Sequence, residues 1–148
     1  MKFIKMLFLS LLCFGLFACS APEIKVKDDN GQSNQSNKEV YKDVETYVGS
    51  TQYQDKIEDT IETMDGWGLT LSVYGEGNTV VYSYTYKEQV DLSEDAKASI
   101  LESIKSQASV YASILDQIEK ETAESQPQIK VVYCNADGSV LVEHTFTK

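Results

Sequence analysis

The hydrophobic period of this chain changes along its length, and that change limits the folds it can adopt. In 69–86 and 129–146, apolar and aromatic residues recur at alternate positions, as on strands that bury one face. Turn-forming residues interrupt both stretches, at Gly75–Asn78 and at Asn135–Gly138. Each stretch is therefore predicted to be a β-hairpin.

Two other segments carry a helical pattern. Apolar residues recur at steps of three and four in 39–64, where Gly49 offers a kink, and again in 93–120. Pro127 bars the second helix from continuing further. The order helix–hairpin–helix–hairpin predicts an α+β fold with one four-stranded antiparallel sheet and two helices packed on one face. The apolar stripe of the second helix leaves a coiled-coil dimer as an alternative.

The N-terminal residues have the layout of an export signal. Lys2 and Lys5 are followed by an apolar run, Met6–Phe17, whose twelve residues would span about 18 Å as a helix. A bilayer core of about 30 Å needs about twenty residues. The run is therefore predicted to belong to a signal peptide rather than to a membrane span.

The signal ends in an aliphatic residue, a tolerant position, a small residue and a cysteine: Leu16, Phe17, Ala18 and Cys19. This tetrad resembles the lipobox of bacterial lipoproteins. The resemblance implies that the Cys19 thiol receives a diacylglyceryl group and that cleavage removes the signal peptide, residues 1–18. The alternative is an ordinary signal peptide with an incidental cysteine. With the lipobox interpretation, residues 19–38 are predicted to be the lipid-attachment cysteine and a flexible polar tether. Residues 39–148 are predicted to form a single α+β domain.

The chain is acidic. It has 23 aspartates and glutamates against 13 lysines, contains no arginine, and has a formal net charge of −10. Proteins that bind nucleic acid need clustered cations to displace counterions from phosphates, so nucleic-acid binding is excluded. The expected partners are the membrane, through the diacylglyceryl anchor, and either an envelope protein or a glycan.

The sequence contains no recognisable catalytic constellation. His144 is the only histidine, and no Gly-x-Ser-x-Gly elbow is present to expose a serine. Cys134 is the one thiol expected to stay unmodified after processing. A zinc site would need several Cys or His ligands, and outside the anchor the processed chain would offer only Cys134 and His144. We therefore predict no catalytic residue, no metal and no cofactor.

Aromatic residues are the candidates for ligand contact. Tyr82, Tyr84 and Tyr86 alternate and so share one face of the second strand. If helices cover that face, the rings belong to the core. If the face is open, the three tyrosines and Trp67 could contact a sugar or a peptide.

Four stretches of the domain carry a resemblance to a known family: YVGSTQYQDKIE (47–58), VYGEGNTVVYSYTY (73–86), SQASVYASILDQI (106–118) and VVYCNADGSVL (131–141). Together with the lipobox and the polar tether, they resemble an uncharacterised family of small Gram-positive lipoproteins, known as a domain of unknown function. The resemblance covers about residues 39–147. It implies the anchor and the α+β domain, and it implies no activity.

The leading hypothesis from the sequence is a non-catalytic binding or interaction protein, lipid-anchored on the extracytoplasmic face of the cell membrane. One alternative is an acidic inhibitor of a basic envelope or host enzyme, whose affinity would fall with salt. Another is an enzyme of unrecognised type, which would need a cleft with convergent carboxylates.

Overall fold

A computed structural model describes residues 40–148 of the chain. In that range four helices and four strands follow one another: α1 Val44–Val48, α2 Thr51–Gly66, β1 Leu69–Glu76, β2 Thr79–Tyr86, α3 Glu94–Ser106, α4 Ala108–Glu121, β3 Gln128–Cys134 and β4 Val140–Phe146. The predicted α+β class is confirmed. The predicted signal peptide, the acylation site Cys19 and the tether lie outside the described residues.

The first predicted helix, 39–64, is two helices, because Ser50 caps a new helix start. Ser50 has an extended backbone (φ −69°, ψ 145°). Its Oγ donates to the carbonyl of Tyr47 (2.7 Å) and accepts from the N–H of Tyr53 (3.3 Å). A serine in this position stabilises a helix start by about 1 kcal/mol. The kink expected at Gly49 is thus a full break, which allows α1 and α2 to take different directions.

The second predicted helix, 93–120, is also two helices, and they meet at Gln107. A continuous helix over 94–121 would be about 42 Å long, whereas strands of seven or eight residues span only about 25 Å. The break at Gln107 (φ −91°, ψ 13°) lets both halves bury apolar side chains, including Ile104 in α3 and Leu115 in α4. The sequence has no glycine or proline at this position, and the apolar residues keep their helical spacing across it. The break was therefore not predicted.

The sheet has the strand order β1-β2-β3-β4, and its two outer pairs are the predicted antiparallel hairpins. The prediction of a wholly antiparallel sheet is wrong, because β2 and β3 run parallel. The connection 87–127 returns the chain to the end of the sheet where β2 begins, and there the N–H of Gln128 donates to the carbonyl of Asn78 (2.9 Å). Parallel neighbours require such a crossover. Hydrophobic periodicity does not reveal at which end of the sheet a crossover finishes.

The helices pack against one face of the sheet, which we call the helix-covered face. One close approach is at Gly75 of β1, where a Cβ would lie 2.5 Å from the Cα of Glu45 in α1. Tyr53 of α2 and Tyr111 of α4 contact aromatic side chains of the same face. α3 packs on β4, where Val142 is buried. The opposite face, which we call the open face, carries serine, threonine and charged side chains around a small buried cluster of Val81, Val132 and Cys134.

Replacement of Gly75 by alanine should destabilise the domain, because the added Cβ would overlap the backbone of α1 rather than a movable side chain. Overpacking of this kind costs about 1–3 kcal/mol. The matched control is Gly66→Ala at the end of α2, where a Cβ meets nothing within 4 Å and the change should be neutral or slightly stabilising. Urea unfolding measures both variants, and equal stabilities would contradict the docking of α1 on β1.

Candidate functional site

The tyrosines that the sequence singles out lie on the helix-covered face of β2. Tyr82, Tyr84 and Tyr86 share that face with Val80, whose partner on β1 is the helix-contacting glycine. The parallel register sets Tyr133 of β3 beside Tyr84, and their rings stack at 4.8 Å with an interplanar angle of 13°. The middle of the helix-covered face is thus an aromatic layer built from two neighbouring strands.

All four helices pack on this face, and two of them also contact the central strands: α1 contacts β2, and α4 contacts β3. α2 packs on β1 and α3 packs on β4, the two edge strands of the sheet. We call the part of this face where four tyrosine hydroxyls reach solvent the tyrosine cleft. Its lining tyrosines are Tyr84, Tyr86, Tyr111 and Tyr133.

The four cleft tyrosines bury their rings but leave their hydroxyls without a protein partner. The exposed fraction is 5% for Tyr84 and 9% for Tyr111. Within residues 40–148, hydrogen bonds engage the hydroxyls of Tyr53 and Tyr82 but none of the four in the cleft. No buried side-chain nitrogen or oxygen in this range is left unsatisfied. Each cleft hydroxyl therefore reaches solvent, and the cleft avoids the cost of about 1–3 kcal/mol for a buried orphan.

The cleft hydroxyls lie close enough together to influence one another. Burial raises the pKa of Tyr84 well above its usual value, and the neighbouring Tyr111 and Tyr133 raise it further, because adjacent phenolates repel. Burial also raises the pKa of Tyr133, with contributions from Tyr111 and Tyr86. Burial raises the pKa of Tyr86 and Tyr111 as well. At neutral pH all four are protonated, and each can both donate and accept a hydrogen bond.

Tyr82 links the aromatic layer to two of the helices. Its hydroxyl bonds to the hydroxyl of Tyr53 in α2 at 2.6 Å, and its ring meets that of Tyr111 in α4 edge-on at 6.3 Å. Tyr53 in turn meets Tyr47 of α1 edge-on at 5.0 Å. This chain of aromatic contacts joins three helices to a central strand, and it occupies the Tyr82 hydroxyl within the protein.

Trp67 lies at the same end of the sheet as Tyr86. It follows the last residue of α2 and is 44% exposed. The next residue, Gly68, has a φ of +78°, and its carbonyl accepts from the N–H of Lys87 at 2.9 Å. The Lys87 ammonium is paired with the Asp65 carboxylate at 2.5 Å. An exposed indole and a lysine paired with a carboxylate therefore lie at this end of the sheet.

The residues considered for catalysis are separated by the sheet. His144 meets Phe146 edge-on at 4.6 Å on the helix-covered face. Cys134 is a buried free thiol on the open face, so the two cannot act as a pair. In residues 40–148 no three His, Cys, Asp or Glu side chains are placed to hold a metal ion. None of the helices in this range is long and apolar enough to cross a bilayer.

Sequence reasoning missed two of the cleft tyrosines. Tyr133 follows the alternation of its strand, but its place beside Tyr84 depends on a parallel pairing that the pattern did not predict. Tyr111 belongs to the apolar stripe of a helix and looked like a core residue. The alternation did place Tyr82, Tyr84 and Tyr86 on one face. That face is the one that the helices cover, so the rings belong to the core.

Comparison with known proteins assigns a family but no activity. Residues 44–146 match the family described as "Domain of unknown function (DUF4854)". The match spans every helix and strand of the described residues. No curated protein and no solved structure matches the chain.

Raising the pH above 10 should destabilise the domain. Unfolded tyrosines ionise near their ordinary pKa of 10, whereas burial raises the pKa of Tyr53, Tyr84 and Tyr133 in the fold. Above pH 10 the folded state binds more protons than the unfolded state, so the free energy of unfolding falls, while below pH 10 this contribution is constant. The expected slope is about 1.4 kcal/mol per pH unit for each such tyrosine.

Urea unfolding at a series of pH values, with tyrosinate absorbance followed in parallel, measures this effect. The control variant, Tyr84→Phe combined with Tyr133→Phe, should show a shallower decline because two of the contributing groups are gone. Full ionisation of all tyrosines before any loss of structure would contradict the burial of these rings.

Proposed function

The chain belongs to the DUF4854 family, and we propose that it is a non-catalytic binding protein whose ligand enters the tyrosine cleft. The observation that carries this proposal is a set of four tyrosine hydroxyls on β2, β3 and α4 that influence one another and have no protein partner, although their rings are largely buried. Because the rings are already packed, these groups lose little freedom when a ligand binds.

A binding role suits the chemistry of these groups better than catalysis does. General acid–base catalysis works best with a pKa near the operating pH. Burial raises the pKa of Tyr111 and Tyr133 away from neutrality, so their hydroxyls neither release a proton readily nor act as nucleophiles at physiological pH. They are well suited to hold a polar ligand by hydrogen bonds.

We place this binding protein on the extracytoplasmic face of the cell membrane, held by a diacylglyceryl group on Cys19. The support is the lipobox-like tetrad that ends at Cys19 and the basic and apolar residues that precede it. A tether over 20–37 would have a root-mean-square reach of about 21–25 Å. The acidic chain would be repelled by anionic lipid, which would keep the domain away from the bilayer surface.

Replacement of Cys19 by alanine should abolish the incorporation of a labelled fatty acid in cells, because the thiol that accepts the lipid is gone. The matched control is Cys13→Ala, which removes the cysteine within the apolar run and should leave labelling unchanged. Membrane fractionation gives a second readout, since the Cys19 variant should leave the membrane fraction. Continued labelling of the Cys19 variant would refute the anchor.

A photo-crosslinking amino acid in place of Tyr86 should capture the ligand, because Tyr86 lines the cleft and is partly exposed. The same amino acid in place of Tyr74, which is 47% exposed on the open face, is the matched control. Mass spectrometry of the anchored protein in cells should find a reproducible adduct at position 86 that is missing at position 74. Identical adducts at the two positions, or none at position 86, would contradict a binding role for the cleft. An adduct to a basic enzyme would favour the inhibitor alternative.

A further inference from the structure

Three of the four cleft tyrosines have one ring face against another aromatic ring, whereas the hydroxyls of all four are available to a ligand. Tyr84 stacks on Tyr133 at 4.8 Å, and Tyr111 stacks on Phe146 at 4.4 Å. An aromatic cage for a cation needs open ring faces within about 6 Å of the charge. This arrangement disfavours a quaternary ammonium group or a lysine side chain as the ligand.

The charges of the chain disfavour an anionic ligand. The cleft hydroxyls are neutral, and Lys87, at the same end of the sheet as Tyr86, is paired with Asp65 at 2.5 Å. The sequence contains no arginine and has a formal net charge of −10. Phosphate and sulfate groups are recognised through arginine forks or available lysines, and long-range repulsion would oppose the approach of a polyanion.

The pairing of the strands disfavours a peptide that binds as an added strand. β2 is hydrogen-bonded to β1 and β3, and β3 is hydrogen-bonded to β2 and β4. The floor of the cleft therefore has no free strand edge, which strand addition requires. A ligand must be held there by side chains.

A neutral sugar chain is the ligand class that suits the tyrosine hydroxyls of the cleft. A sugar hydroxyl, like a tyrosine hydroxyl, both donates and accepts a hydrogen bond. Trp67, 44% exposed at the same end of the sheet as Tyr86, presents indole surface on which the apolar side of a sugar ring can stack. We propose that the tyrosine cleft binds an uncharged glycan. This inference rests on the proposed function, because it names the ligand class of the same cleft.

The test is isothermal titration calorimetry of the lipidated protein in detergent with four probes: cellotetraose, chitotetraose, a heparin tetrasaccharide and tetralysine. At least one of the two neutral sugars should bind, and any attraction of tetralysine to the acidic surface, or of the heparin fragment to the protein, should be unaffected by substitutions in the cleft. Tyr84→Phe combined with Tyr133→Phe keeps both rings and removes two hydroxyls. This double substitution should lower the affinity for the neutral sugar about fivefold or more, because each lost hydrogen bond lowers an affinity roughly 2- to 12-fold. Tyr74→Phe, on the open face, is the matched control and should change nothing.

Thermal melts accompany the titration, and the double variant should melt with the parent, because the removed hydroxyls make no hydrogen bond within residues 40–148. If the double variant melts earlier, the two single variants supply the comparison, with the roughly 2- to 12-fold loss expected of each.

Three results would overturn the glycan inference. The first is failure of both neutral sugars to bind at millimolar concentration. The second is neutral-sugar binding that survives the double substitution. The third is binding of tetralysine or the heparin fragment that the double substitution abolishes, which would leave the cleft as a binding site for another ligand class. Failure of the proposed function itself is a separate result, seen as the absence of any adduct at position 86 in the crosslinking experiment.

Discussion

The parallel pairing of β2 with β3 is the constraint on which the rest of the structure depends. It sets Tyr84 beside Tyr133 so that their rings can stack. It also requires the chain between the two strands to run from one end of the sheet to the other. α3 and α4 form that connection, and they cover the far edge of the same face that α1 and α2 cover at the near edge. The side-by-side placement of two cleft tyrosines is a consequence of this topology.

Tyrosine combines two roles in this core. A buried tyrosine ring contributes apolar area of about 150–250 Å², and the contacts that run from Tyr47 through Tyr53 and Tyr82 to Tyr111 tie three helices to the sheet. Phenylalanine would pack as well at Tyr84 or Tyr133, because the hydroxyls there make no internal hydrogen bond. The packing of the fold therefore does not need those hydroxyls, which leaves them available to solvent.

Local pattern predicted the elements well, because strand and helix periods differ and turn residues are distinctive. Both hairpins and the helical segments follow from it, and so does the shared face of Tyr82, Tyr84 and Tyr86. The pattern could not predict the direction of β3 relative to β2, because β3 alternates in the same way whether it runs parallel or antiparallel. For the same reason Tyr133 was not predicted at the site. The break at Gln107 was also missed, since it is set by the length of the sheet rather than by a helix-breaking residue.

The most direct test of this account is a disulfide between β2 and β3 in a chain whose Cys13 and Cys19 are alanine. Thr85 and Cys134 are register partners on the open face, and neighbouring strands lie about 4.8 Å apart, within reach of a disulfide. Thr79 is on the same strand and face but pairs with Gln128, about 20 Å from Cys134. The account predicts that Thr85→Cys forms a disulfide with Cys134 under mild oxidation and that Thr79→Cys does not. The reverse result would mean that the two central strands are antiparallel, and it would remove the tyrosine cleft.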